Sequence, residues 1–178
     1  MLSLAALANW EAAVLASIRG ATGTPEERDA QITRSGMYAE YPAIFNTYLE
    51  LVTLGDDPAA VLEALKRAVF LAWYSFKEPS FDSGIAELPE SAVRDLMDAL
   101  DRAIAGGRTD GELQWMLAWY ADQFGYVFEH FGPVRRLEGF IGGLSANDAY
   151  DHRGEAGQFV GRGQLGAYWK AVLEAGER

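Results

Sequence analysis

Apolar residues recur every three or four positions along most of this chain, and that spacing restricts the possible folds more than any other feature of the sequence. Near the start the row consists of Leu7, Trp10, Val14 and Ile18, which would lie on one face of an amphipathic helix. No run of strand length alternates apolar and polar residues between turn signals. The spacing therefore predicts an all-α protein.

Helix start signals precede several of these rows. Thr24 and Glu27 have the spacing of a capping box, in which each side chain accepts a hydrogen bond from the other residue's backbone. Thr109 and Glu112 have the same spacing. The sequence therefore predicts a second capping box there, followed by one long helix within residues 109–131.

Two segments in the middle of the chain predict a buried helix and a loop. Residues 68–74 are apolar on every side of a predicted helix, which is typical of a central position in the core. Residues 77–88 break the helical spacing at Pro79 and Gly84 and predict a loop.

The last quarter of the chain differs in composition from the rest. Ten of the nineteen glycines lie in residues 132–178, which predicts a less regular segment that wraps over the preceding helices. A chain of 178 residues can bury a core without disulfides or metal. We therefore expect one helical domain over residues 1–178, an irregular or orthogonal bundle of about seven helices.

Composition excludes several classes of function. The chain has no cysteine, which rules out thiolate nucleophiles and cysteine metal sites. Its net charge of −11 disfavours direct binding to nucleic acid. Glu11 interrupts the apolar N-terminal segment, no basic residue precedes Arg19, and no segment has the ~18 uncharged apolar residues of a membrane span. We expect a soluble, cytoplasmic protein with no membrane contact. The excess of arginine over lysine, with abundant alanine and glycine, is typical of a GC-rich bacterial source.

Residues 161–166 match the G-x-G-x-x-G pattern of dinucleotide-binding sites. Such a site needs a second strand and an acidic residue about 20 positions further on. Only twelve residues follow Gly166 in this sequence. We therefore interpret the motif as a flexible loop ahead of a terminal helix.

One polar cluster is a weak candidate for a metal site. On a helix, Asp148, Asp151 and His152 would share one face, with Glu129 or His130 as a further ligand. A polar helix end explains the same residues, and two histidines in the whole chain are a small supply of ligands. His130 could instead act as a general base, or stabilise a helix C-terminus when protonated. We expect no metal and no cofactor.

The tryptophans suggest a possible ligand site. Trp115 and Trp119 are offset from the main apolar row of their predicted helix, and Trp73 precedes the predicted loop. Aromatic rows at helical spacing usually belong to the core. The alternative is an aromatic patch or cleft between residues 77–88 and 109–131, which would suit a small enzyme or a ligand-binding protein.

Acidic residues give the leading hypothesis for function. Asp95, Asp98 and Asp101 are spaced by three, so they follow one exposed flank of a predicted helix. That flank is either an ordinary solvated surface or a docking face for a basic partner. No G-x-S-x-G or H-E-x-x-H motif points to catalysis. We therefore expect a non-catalytic protein that binds another protein, such as an immunity or inhibitor protein with a basic partner.

Overall fold

The computed structural model describes residues 2–130, 135–144 and 156–176. Within these ranges the chain forms ten α-helices and no strand, so the all-α prediction is confirmed while the expected number of about seven is too low. The α-helices are α1 (Leu4–Arg19), α2 (Pro25–Ser35), α3 (Glu40–Leu54), α4 (Pro58–Lys77), α5 (Ser80–Ser83), α6 (Glu90–Ala105), α7 (Gly111–Phe124), α8 (Tyr126–His130), α9 (Arg135–Gly143) and α10 (Gly163–Gly176). Two 3-10 helices cover Met37–Ala39 and Ala156–Phe159.

The first predicted capping box is confirmed and the second is wrong. Thr24 Oγ1 accepts from the Glu27 backbone N–H at 3.3 Å, and Glu27 Oε2 accepts from the Thr24 N–H at 2.9 Å. At α7 the cap is Asp110, not Thr109, because the Asp110 carboxylate accepts from the backbone N–H of the first turn. Glu112 does not reach back to the cap, since its carboxylate binds cations of other segments.

Short interruptions explain why the structure has more helices than predicted. The long helix predicted within 109–131 is divided at Gly125, where α7 ends and α8 follows. The predicted loop at 77–88 contains the single turn α5. Gly84 ends this turn with a φ of 78°, a conformation that glycine adopts without a steric penalty.

The centre of the molecule is α4, as the sequence predicts. Residues 68–73 are fully buried, and Tyr74 is half-buried. Helices α3, α6, α7 and α10 all pack against α4. A helix surrounded on every side has no face left for polar residues, which is why its sequence is apolar throughout this stretch.

The last described helix completes the core. Helix α10 packs against α1 and α4, and it buries Leu165, Trp169 and Leu173. Helix α9 packs against α6 and α7. The glycine-rich segment thus contributes large side chains to the core.

Candidate functional site

The three aspartates of the predicted acidic flank have two different environments. Asp95 and Asp98 on α6 are exposed, and neither forms an ion pair with the part of the chain that the structure describes. Asp101 is half-buried, accepts a hydrogen bond from the Arg136 backbone N–H at 3.2 Å, and has Oδ2 3.5 Å from Arg136 Nη1. Asp101 therefore attaches α9 to α6. We call Asp95 and Asp98 the acidic face.

The predicted exposed aromatic patch is not formed by Trp73 and Trp115, because both lie in the core. Their exposed fractions are 0% and 3%. The Trp73 ring stacks on Tyr120 with 4.4 Å between centroids, and Trp115 meets Trp169 of α10 edge to face, also at 4.4 Å. Spacing within one helix could not reveal that α10 would cover this side of α7.

The predicted cleft between residues 77–88 and 109–131 is filled for the same reason. Trp119 is half-buried, and its indole N–H donates to the Tyr168 hydroxyl of α10 at 2.9 Å. The Lys77 ammonium lies 5.0 Å from the centroid of the Tyr168 ring, within the range of a cation–π interaction. Tyr168 of α10 thus contacts both segments between which the cleft was expected.

A buried carboxylate for which the sequence predicted no structural role, that of Glu11, lies where α1, α3 and α10 meet. Glu11 is 1% exposed and accepts hydrogen bonds from the Tyr48 hydroxyl at 2.5 Å and from the Gln164 backbone N–H at 2.8 Å. Burial raises the pKa of Glu11, while these two bonds and the nearby Arg67 guanidinium oppose the rise. Glu11 therefore ties the start of α10 to α1.

The middle glycine of the G-x-G-x-x-G motif lies against this carboxylate. Gly163 has a φ of 62°, and a Cβ at this position would lie 2.5 Å from Glu11 Oε1. The glycine thus permits the close approach that lets the next residue, Gln164, donate to Glu11. Its neighbour Arg162 is also held by ion pairs. The motif does precede a terminal helix, as expected, but Arg162 and Gln164 are held by specific contacts and the helix already begins at Gly163.

Arg162 belongs to a second polar cluster, at the joint between α4, α7 and α10. Its Nη2 atom lies 2.5 Å from Glu63 Oε2 and 2.6 Å from Glu112 Oε1. Glu63 also accepts from Arg67 Nε at 2.7 Å. Burial opposes the charge on Arg162, but its two carboxylate partners raise the pKa of the guanidinium overall.

Lys66 extends this cluster to the cap of α7. Its Nζ lies 2.6 Å from Asp110 Oδ2 and 3.1 Å from Glu112 Oε1. Burial opposes ionisation of both carboxyls, yet the Lys66 ammonium lowers the pKa of Asp110, and Arg162 with Lys66 lowers that of Glu112. The carboxylates of this cluster are paired with cations, so the cluster joins α4, α7 and the start of α10.

A groove of about 660 Å³ lies between α3, α4 and α6. Its surface is formed by the end of α3, the first turns of α4, the end of α6 and the segment leading to α7. The lining residues are Val52, Thr53, Gly55, Asp56, Pro58, Val61, Leu62, Leu65, Ala99, Arg102, Ala103, Arg108 and Thr109. No sequence pattern pointed to it, because its walls come from two distant stretches of the chain, residues 52–65 and 99–109.

The weak metal candidate falls outside the described structure. Asp148, Asp151 and His152 are not among the described residues, nor are the side chains of Glu129 and His130. Across the residues that are described, no three histidine, cysteine, aspartate or glutamate side chains are grouped so that they could hold a metal ion. No helix in that portion of the chain is long and apolar enough to cross a membrane.

No protein-family model matches the chain, and no curated protein or solved structure is significantly similar to it. The geometry of the described side chains is therefore the basis on which a function can be proposed.

Proposed function

We propose that this protein acts in the cytosol by binding a basic protein through the acidic face of α6, in the way that an immunity or inhibitor protein binds its target. One observation carries the proposal. Asp95 and Asp98 are exposed and have no cation partner in the described structure, whereas Asp101 on the same helix is paired with Arg136. Two unpaired carboxylates on a rigid helix present a fixed negative surface to a partner.

The distribution of positive charge supports the same proposal. Lys66, Arg67 and Arg162 are directed to internal carboxylates and are largely shielded from solvent. They therefore contribute little to neutralising the outer surface of a chain whose net charge is −11. A negative field of this kind accelerates encounter with basic proteins and repels nucleic acid.

The test is capture of binding proteins from the source organism, followed by association rates at two salt concentrations. The informative variant is Asp95→Asn/Asp98→Asn, because neutralising Asp101 would also loosen α9. We expect the variant to associate about tenfold more slowly at low salt, with a smaller change in dissociation, since exposed charges mainly steer encounter.

The matched control is Glu26→Gln/Glu174→Gln, which removes the same charge from exposed positions on α2 and α10. The control should associate at nearly the wild-type rate. Equal association rates for wild type and Asp95→Asn/Asp98→Asn at low salt would contradict the proposal, as would a captured set with no basic protein in it.

A further inference from the structure

We propose that the groove between α3, α4 and α6 binds a small carboxylic acid with an apolar body. This inference does not rest on the proposed function, because it concerns the groove and a different class of ligand, although Asp98 of the acidic face lies one helical turn before Arg102. It rests on the shape and lining of the groove and on two guanidinium groups at its α6 side.

The floor of the groove is apolar and its size suits a small molecule. Leu65, Ala99 and Ala103 are buried at its base, and Val61 and Leu62 are half-buried along α4. A volume of about 660 Å³ lies within the ~300–1,000 Å³ of typical ligand sites. An apolar body placed here would remove exposed parts of these side chains from water, which is favourable in proportion to the area covered.

Two arginines provide the polar end of the site. Arg102 and Arg108 line the groove and are exposed, and neither side chain forms an ion pair or hydrogen bond within the described ranges. Arg108 Nε lies 3.1 Å from where a Cβ at Gly106 would stand, so this side chain lies against the end of α6, the helix that carries Arg102. Guanidinium groups bind carboxylates through paired, charge-assisted hydrogen bonds.

Arg102 and Arg108 differ from the buried cations of the molecule, although the exposed Arg19 and Arg34 likewise have no acidic partner in the described structure. Lys66, Arg67 and Arg162 are all bound to carboxylates. In a chain with 26 acidic and 15 basic residues, Arg102 and Arg108 nevertheless have no acidic partner in the described structure. Their positive charge beside an apolar groove is complementary to a carboxylate whose apolar body lies on the floor.

A carboxylate on the other side of the groove limits the charge of the ligand. Asp56 is exposed and lines the α3 side. It would repel a second negative charge on the ligand. We therefore infer a monocarboxylate whose head group faces Arg102 and Arg108 and whose body extends toward Val52 and Leu62.

The experiment is calorimetric titration of the full chain with octanoate, and with 1-octanol as the neutral counterpart. The variant Arg102→Gln/Arg108→Gln removes both guanidinium groups. Its matched control is Arg34→Gln/Arg94→Gln, which changes the net charge equally at exposed positions that do not line the groove. A third variant, Leu62→Gln, makes the apolar wall polar.

We expect saturable octanoate binding to the wild type with a dissociation constant below about 1 mM. Arg102→Gln/Arg108→Gln should weaken octanoate binding about tenfold and leave octanol binding unchanged, because only the charged head group loses its partners. Leu62→Gln should weaken binding of both compounds, and the control should resemble the wild type.

Three outcomes would overturn the inference. The first is the absence of saturable octanoate binding to the wild type at about 10 mM, a concentration at which even weak sites are occupied. The second is an equal effect of the two double variants, which would show that only the overall charge matters. The third is unchanged octanoate affinity in a Leu62→Gln protein that is folded by circular dichroism, which would place octanoate elsewhere.

Discussion

Gly163 shows how one missing side chain allows a long-range contact to form. Its left-handed backbone conformation brings the start of α10 against the Glu11 carboxylate, at a distance that leaves no room for a Cβ. Gly161, two residues earlier, also has a positive φ of 75°, but a Cβ there would meet no atom within 4 Å. Alanine at either position would have an unfavourable backbone conformation, but only at Gly163 would its Cβ also clash with other atoms. Comparing the two substitutions therefore distinguishes these two effects.

We predict that Gly163→Ala is much more destabilising than Gly161→Ala. The second substitution should cost about 1 kcal/mol, the usual penalty for alanine in a left-handed conformation. Gly163→Ala should cost about 3 kcal/mol or more, because the new Cβ also pushes a buried carboxylate away from its donors. Free energies of unfolding from urea denaturation measure the difference. Equal losses for the two variants would show that contact with Glu11 contributes nothing.

The joints between helices contain two carboxyl groups whose pKa values shift in opposite directions. Glu11 joins α1 to α3 and α10, and burial raises its pKa above the ordinary value of 4.5. Glu112 joins α7 to α4 and α10, and Arg162 with Lys66 lowers its pKa against the effect of burial. Protonation of Glu11 should therefore favour the folded state, whereas protonation of Glu112 should disfavour it.

We predict that Glu11→Gln and Glu112→Gln alter the pH dependence of stability in opposite ways. The folded protein holds the Glu11 proton to higher pH than the unfolded chain, so the contribution of Glu11 is greatest below pH 4.5 and falls as pH rises through its folded pKa. The advantage of wild type over Glu11→Gln should therefore shrink as pH rises.

The contribution of Glu112 to stability has the opposite dependence on pH. Its contribution is fully present above pH 4.5 and is lost as pH falls through its lowered folded pKa, so the advantage over Glu112→Gln should shrink in acid. Urea denaturation of the three proteins between about pH 3.5 and pH 8 tests both directions, since this range covers the ordinary carboxyl titration. Parallel pH profiles for the two variants would contradict the assignment.

Features that depend on neighbouring residues could be predicted from the sequence, while features that depend on distant contacts could not. The Thr24 capping box and the buried centre of α4 each follow from residues within one helix. The positions of Trp115 and Gly163 depend on where α10 packs, which no local pattern shows. Glu11 was the one sequence feature that indicated such a distant contact. An acidic residue inside an otherwise apolar row needs polar partners when it is buried.

The same distinction applies to the candidate sites. The exposure of Asp95 and Asp98 follows from helical spacing. The pairing of Asp101 with Arg136, which removes Asp101 from the acidic face, depends on the packing of α9 against α6. The groove with Arg102 and Arg108 is a property of three helices together. Sequence spacing can place a residue on a face of its own helix, but it does not show which other helix covers that face.

Across the whole molecule, opposite charges are paired inside and negative charge accumulates outside. The internal clusters combine Lys66, Arg67 and Arg162 with carboxylates, so they add little to the net charge of −11, and the other charged side chains that the structure describes are mostly at the surface. Like charges on a surface repel each other and destabilise the compact state. Mobile ions screen this repulsion strongly, while they screen partly buried pairs much less.

We predict that sodium chloride stabilises this protein at neutral pH. Raising its concentration from about 20 mM to about 300 mM shortens the screening length to less than half, which relieves repulsion between exposed carboxylates. The melting temperature should rise by about 2–4 °C, equivalent to about 1 kcal/mol for a domain of this size. Asp95→Asn/Asp98→Asn should melt higher than wild type at low salt and gain less from added salt, because part of the repulsion is already removed. A melting temperature that falls with salt would mean that exposed pairs, such as Arg94 with Glu90, stabilise the fold more than surface repulsion destabilises it.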